Sequence, residues 1–149
     1  MTKLIFTKID KDAVIPTYAH DGDAGLDIWS TKETYLYKGN PTILSTGLTV
    51  EVPYGFELQI RSRSGLAFNK KVYLANGVGT IDYGFKGEIK VVLVSPYTDI
   101  YIKRDKAIAQ LVLCRLEPTE VYEDLGNSIK EISQNFTRVR SKGFGSSDE

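Results

Sequence analysis

Asp82, in the run Gly79-Thr80-Ile81-Asp82, is the candidate general base of this sequence. A carboxylate can take the proton of one aligned water, and the single histidine, His20, lies elsewhere in the chain. The segment around it, Asn76 to Glu88, carries four glycines within eleven residues. That density predicts a hairpin whose backbone comes close to something. In such a hairpin Asn76 can read an amide-like edge and Phe85 can stack on a ring; an ordinary hairpin is the alternative.

Three other segments hold groups of chemical interest. In Asp21-Gly22-Asp23-Ala24-Gly25-Leu26-Asp27, three carboxylates alternate with glycines at the mouth of a strand. Hard oxygen ligands of this kind suit Mg²⁺ or its water shell, and an Asx-type turn is the structural alternative. Arg61-Ser62-Arg63-Ser64-Gly65 gathers two guanidiniums and two hydroxyls beside a glycine. Arginine forks and helix N-terminal amides bind phosphate; otherwise Ser64 is an N-cap beside solvated arginines. Near the C-terminus, Arg138, Arg140 and Lys142 precede Gly143-Phe144-Gly145-Ser146-Ser147. Three cations and a flexible aromatic can clamp a polyphosphate and cover a base, or form a basic tail.

The elements that must position these groups read as short strands. Leu4–Ile9, Leu26–Ser30, Tyr35–Tyr37, Phe56–Arg61, Ile89–Val94, Ile100–Ile102 and Ile108–Leu116 are strand candidates, and Ile43–Val52 alternates loosely as one more. Phe56 to Arg61 alternates strictly, as a half-buried strand should. Turn signals such as Asp21-Gly22, Pro53-Tyr54-Gly55, Asn76-Gly77 and Ser95-Pro96 recur throughout. Many short strands and frequent turns predict an all-β sandwich or barrel. Only Ser64 to Lys70 offers one or two helical turns.

Composition limits the function classes. The chain has 149 residues, 42% hydrophobic and 26% charged, the profile of one domain with its own core. Zero net charge argues against a broad nucleic-acid footprint. No apolar run is long enough to cross a membrane, and the N-terminal residues turn polar too soon for a signal peptide. One cysteine, Cys114, makes neither an internal disulfide nor a zinc site and fits a reducing cytosol. The expected organisation is a single unit over 1–149: a β-barrel core over about 1–126, then a polar, mobile arm over about 127–149.

These blocks occur in a fixed order, and in that order the sequence resembles the trimeric dUTP pyrophosphatase (dUTPase) family from Asp23 to Ser147. The matching blocks are Asp23-Ala24-Gly25-Leu26-Asp27, Arg63-Ser64-Gly65-Leu66-Ala67, Gly79-Thr80-Ile81-Asp82 with Phe85 and Gly87-Glu88, Ile108-Ala109-Gln110-Leu111, and Lys142 to Ser147. The resemblance implies a distorted jelly-roll β-barrel assembled as a homotrimer with shared active sites. It implies hydrolysis of dUTP to dUMP and pyrophosphate, with Mg²⁺ held mainly by the substrate phosphates. By similarity Asp82 activates the attacking water, Gln110 lies near the water and the phosphates, and Asp27 reaches the metal through water. Arg63, Ser64 and Gly65 match the phosphate-binding block. Asn76, Gly79, Thr80 and Phe85 match the hairpin that binds uracil and deoxyribose. Arg140, Lys142, Phe144, Gly145 and Ser146 match the tail that closes over the nucleotide.

The sequence departs from the family pattern in four places. Ser62 stands where a proline is common, and Phe85 stands where tyrosine is usual. Asp105-Lys106-Ala107 fits the start of the fourth motif poorly. Val139 occupies the spacing of a phosphate-binding arginine, flanked by Arg138 and Arg140. Two other readings stay open. A dCTP deaminase of the same fold would need a glutamate where Val92 stands. A non-catalytic regulatory protein on this scaffold would bind dUTP without turnover. A regulatory protein partner beside the enzymatic role is also compatible with the sequence.

Overall fold

The computed structural model of the chain describes residues 1–132. Among them are fourteen strands, numbered in chain order, and one helix. The largest sheet runs β2 (Thr17–Tyr18), β3 (Leu26–Trp29), β12 (Ala107–Arg115), β7 (Phe56–Arg61), β9 (Gly79–Ile81). A three-stranded sheet runs β5 (Thr42–Ser45), β10 (Lys90–Val94), β8 (Tyr73–Leu74). Three two-stranded ladders complete the set: β1 (Ile5–Lys8) with β6 (Leu48–Glu51), β4 (Thr34–Leu36) with β11 (Ile100–Ile102), and β13 (Tyr122–Asp124) with β14 (Ile129–Glu131). Every pairing is antiparallel. The all-β expectation is borne out.

Alternation explains the packing. Leu58 and Ile60 of β7, Val91 and Leu93 of β10, and Ile28 of β3 turn inward and are buried. Their neighbours Glu57, Gln59 and Arg61 face the other side of the sheet. In β12 the pairing with β3 shifts between Ala107 and Ala109, a bulge at Ile108. An extra residue at a bulge leaves side chains out of simple alternation, and Ala107, Ile108 and Ala109 are all buried in succession.

Three expectations are corrected. The run Ile43–Val52 is not one strand: β5 and β6 belong to different sheets. Gly47 breaks it with φ +66°, and a Cβ there would stand 2.6 Å from the Asp10 Cβ and 2.8 Å from the Thr31 Cγ2, so only glycine fits the elbow. The glycine-rich segment is no ordinary hairpin either. β9 pairs with β7 while β10 pairs with β5 and β8, so the two limbs diverge into separate sheets. Finally, the polar stretch expected to begin the arm at Asn127 folds back: β14 pairs with β13 around a turn at Gly126, φ +83°.

Candidate active site

Asp27, Gln110 and Arg61 stand in one row across β3, β12 and β7, because Gln110 pairs with Asp27 on one side and with Arg61 on the other. Directly paired residues share a face, so the row forms on the outer side of the sheet. Two residues past β7, Arg63 grips Asp27 with both arms of its fork: Nε lies 2.9 Å from Oδ1 and Nη2 lies 3.2 Å from Oδ2. A bidentate fork fixes orientation as well as charge. Arg63 Nη1 also donates to the Ala107 carbonyl, at the bulge, at 3.3 Å. The pair is only partly shielded, with side-chain exposures of 38% for Arg63 and 17% for Asp27.

Gln110 is held as firmly. Its Nε2 donates to the Ser62 carbonyl at 3.0 Å, and the Ser62 hydroxyl accepts the Leu74 amide at 3.0 Å. Ser62 thus ties β12 to the end of β8, a role the sequence did not reveal. Gly25 completes the arrangement. A Cβ there would collide with the Gln110 Oε1 and come within 3.1 Å of its carboxamide carbon, so glycine makes the room that Gln110 occupies.

Ser64 opens helix α1 (Ser64–Lys70). It is not the N-cap; Arg63 holds that place with extended backbone, and no side chain caps the helix. A Cβ on Gly65 would meet nothing within 4 Å, so the chain itself does not require a glycine there.

The second half of the site lies where β9 and β10 diverge. A cavity of about 650 Å³ opens between them, lined by Ile60, Leu74, Ile81, Ile89, Val91 and Val92 and by Asn76, Gly79, Thr80 and Phe85. Every hairpin residue singled out as nucleotide-binding therefore borders one space. Gly79 is buried and its Cβ would press on the Ile60 side chain at 3.1 Å, which explains glycine in β9. Phe85 is half-buried and packs on the core, and its amide closes a turn onto the Asp82 carbonyl at 3.2 Å. Asp82 follows β9 directly and is exposed. Tyr83, the next residue, meets Tyr54 edge to face at 5.4 Å between ring centres, which anchors this loop to the turn before β7.

The acidic turn does not converge on a metal. Asp23 Oδ2 accepts the His20 amide at 2.9 Å and the Asp23 amide donates back to the His20 carbonyl at 3.3 Å, a reciprocally closed turn that is not of Asx type, while Asp27 is engaged by Arg63. Among the described residues no group of three or more His, Cys, Asp or Glu can hold a metal ion, so these residues do not fit a resident Mg²⁺ cage. Among them too, no helix is long and apolar enough to cross a membrane. Arg138, Arg140, Lys142, Phe144, Gly145 and Ser146 lie outside the described residues.

Known proteins resemble this chain in sequence and in fold. The dUTPase family model matches residues 11–147. A deoxyuridine 5'-triphosphate nucleotidohydrolase of Clostridium acetobutylicum is 37% identical over 147 residues, covering 98% of this chain and 97% of that protein. One of the same name from Hydrogenobaculum sp. is 39% identical over 146 residues, covering 97% and 96%. Among solved structures, a variant dUTPase of Staphylococcus bacteriophage 80alpha with dUpNHpp superposes with a TM-score of 0.77 at 22% identity, covering 98% of each chain. A point mutant of the dUTPase of phage phi11 of S. aureus, whose structure details the coordination of a structural Mg(II) ion, gives 0.76 at 20% identity, covering 83% of this chain and 97% of that one. The structural likenesses carry the fold; the family model and the full-length relatives carry the kinship, and by them this chain belongs to the dUTPase family.

Proposed function

We propose that the chain hydrolyses dUTP to dUMP and pyrophosphate, with Asp82 as the general base. The observation that carries this reading is the cavity between β9 and β10, because Asn76, Gly79, Thr80 and Phe85, which border it, belong to one segment with Asp82. A base seated there, beside Asn76 and against Phe85, belongs to a nucleotide whose phosphates leave the cavity toward charged groups. The α–β phosphoanhydride bond breaks, the water oxygen bonds to phosphorus, its proton passes to Asp82, and pyrophosphate departs. Phosphoryl transfer asks mainly for positioning and charge stabilisation. Arg63, Ser64 and the backbone at Gly65 are assigned to the phosphates, and Gln110 to the water and phosphates. Mg²⁺ enters as part of the Mg·dUTP substrate, and Asp27 is assigned to its water shell. Arg140, Lys142, Phe144, Gly145 and Ser146 are assigned to closure over the bound nucleotide.

The two halves of this machinery support a shared site in a homotrimer. Ile81 pairs with Leu58, three residues before Arg61, so Asp82 leaves the β7–β9 ladder at the end away from Arg63 and Ser64. Along the strand the separation is about 10 Å or more at roughly 3.3 Å per residue. A second copy that brings its Arg63 and Ser64 to this chain's Asp82 removes the gap. The deaminase reading finds no support: the position it needs as glutamate is Val92, a wall of the cavity. A reducing cytosol is the proposed location, in keeping with the unpaired Cys114.

Pyrophosphate release measured across dUTP, dTTP, dCTP and UTP tests the assignment, with dUTP expected to be strongly preferred. Asp82→Asn should keep dUTP affinity and lose about 10²-fold or more in kcat, the scale of general-base catalysis. Near-normal turnover in that variant removes Asp82 from the mechanism. Tight dUTP binding by the wild-type protein with no turnover would favour the regulatory reading.

A further inference from the structure

We propose that Glu88 is a positioning residue that sets the width of the base cavity, an inference that rests on the dUTP reading above. β9 and β10 share no ladder, so no strand-to-strand hydrogen bonds fix the gap between them. The gap is fixed by what holds the start of β10 to the rest of the molecule. That attachment is the ladder with β5, which begins at Lys90 and Ser45, and just ahead of it a short clasp onto the elbow between β5 and β6. Glu88 Oε1 accepts the Gly47 amide at 2.9 Å, the Thr46 hydroxyl donates to the Ile89 carbonyl at 2.6 Å, and the Ile89 amide donates to the Leu48 carbonyl at 2.7 Å. Residues 88 and 89 are thereby pinned to residues 46, 47 and 48.

The elbow is a rigid post. Gly47 sits in a left-handed conformation wedged against Asp10, Ala13 and Thr31, with no space even for a methyl group. The clasp residues are also walls: Glu88, Ile89 and Lys90 all line the base cavity, and Phe85 stands three residues before Glu88 on the same limb. Glu88 further borders a second cavity of about 360 Å³ on the elbow side, together with Asp10, Lys32 and Gly47. Glu88 and Ile43 therefore border both spaces. The Glu88 side chain is 20% exposed, and its other oxygen lies 4.0 Å from Lys90 Nζ. Of the three clasp bonds, Glu88's is the one made by a side chain outside the apolar core. Removing it loosens the wall at Glu88, just ahead of the ladder with β5, toward the second cavity.

A wider base cavity holds uracil less well and admits a base with one extra methyl group. Glu88→Ala should raise KM for dUTP about fivefold with kcat within about twofold, and should lower the preference for dUTP over dTTP about tenfold. Glu88→Gln keeps an oxygen for the Gly47 amide and should restore both quantities. Glu88→Asp keeps the charge but falls short by one methylene, and should share the alanine defect in part. Steady-state kinetics on dUTP and dTTP, with thermal unfolding of each variant, reads all of this. An unchanged KM and dTTP ratio in Glu88→Ala overturns the proposal, and so does a glutamine variant as impaired as alanine. Loss of thermal stability without loss of base selectivity overturns it as well, since that marks a purely structural role. Should the alanine variant fail to fold, wild-type selectivity in Glu88→Asp does the same. A wild-type protein that does not hydrolyse dUTP fails the underlying reading; one that does, with selectivity untouched by Glu88, fails this inference alone.

Discussion

The row across β3, β12 and β7 and the mouth between β9 and β10 solve opposite problems. In the row, Asp27, Arg63, Gln110 and Ser62 are bonded to one another or to nearby backbone, and Gly25 leaves just the room Gln110 fills. At the mouth, two strands part, apolar walls surround an open space, and few polar groups border it. Charge on a phosphate must be met by groups that do not reorganise, because preorganised dipoles lose no energy turning toward it. A base needs shape, and shape comes from strands held apart. On the proposed assignment of phosphates to the row and base to the mouth, one fold supplies both by keeping β12 paired on both sides and leaving β9 and β10 unpaired with each other.

If the row is rigid, filling its one gap should do the greatest harm. Gly25→Ala places a methyl group on the Gln110 side chain, and the Gln110 Cβ, 3.2 Å away, cannot retreat without moving the central strand. We expect kcat/KM for dUTP to fall by about 10²-fold, the scale of a ~1 Å displacement at a reacting centre. Overpacking should also lower stability by about 1–3 kcal/mol. Steady-state kinetics with chemical denaturation measures both. A variant with wild-type kinetics would show that the row yields, and the contrast with the mouth would be lost.

At the mouth the expected loss is smaller and falls on selectivity. Phe85→Ala removes a ring that packs on the core and borders the cavity. We expect UTP hydrolysis to rise relative to dUTP hydrolysis by about tenfold, the discrimination a close apolar wall gives against one added group. Competition between the two nucleotides measures the ratio directly. A fixed ratio would place sugar selection elsewhere and leave Phe85 a core residue.

The two regions were not equally legible in the sequence. Strict alternation marked β7 at Phe56–Arg61, and the apolar runs marked β10, β11 and β12 to within a residue or two. The chemistry-bearing blocks were legible because residue types with few other uses, such as Arg63-Ser64-Gly65, recur in a family order. The partners were not. That Arg63 holds Asp27, 36 positions away, depends on β12 lying between β3 and β7, which no local pattern encodes. Ile43–Val52 read as one strand because periodicity crosses Gly47 unbroken, while the break comes from packing against Asp10 and Thr31. The hairpin of β13 and β14 escaped notice because all six of its strand residues are exposed, so no buried face imposed a pattern; the turn at Leu125-Gly126 was its only signal. Glu88 escaped for a related reason: its partner is a backbone amide 41 residues away.

A region belonging to neither half gives the finest control on the comparison. In the ladder of β4 and β11, Tyr35 pairs with Tyr101, their ring centres 4.8 Å apart. The Tyr101 phenol donates a hydrogen bond to Glu33, which, with desolvation and the Glu33 charge, pushes its pKa up from 10.0 to about 12. The folded chain thus holds this proton more tightly than the unfolded chain. The bond's stabilising effect is fully present below pH 10 and is lost as pH rises through about 12. Glu33→Gln removes the negative acceptor and should bring Tyr101 back toward 10.0. Phenolate absorbance, titrated in wild type, Glu33→Gln and Tyr101→Phe, isolates this one tyrosine among nine. Kinetics on dUTP, and the preference over dTTP and UTP, should stay at wild-type values in Glu33→Gln. An unmoved titration would mean that the phenol and the carboxylate do not meet. A moved titration with altered base or sugar selectivity would mean that this ladder shapes the cavity as well, and the boundary drawn around the mouth would have to extend to β4 and β11.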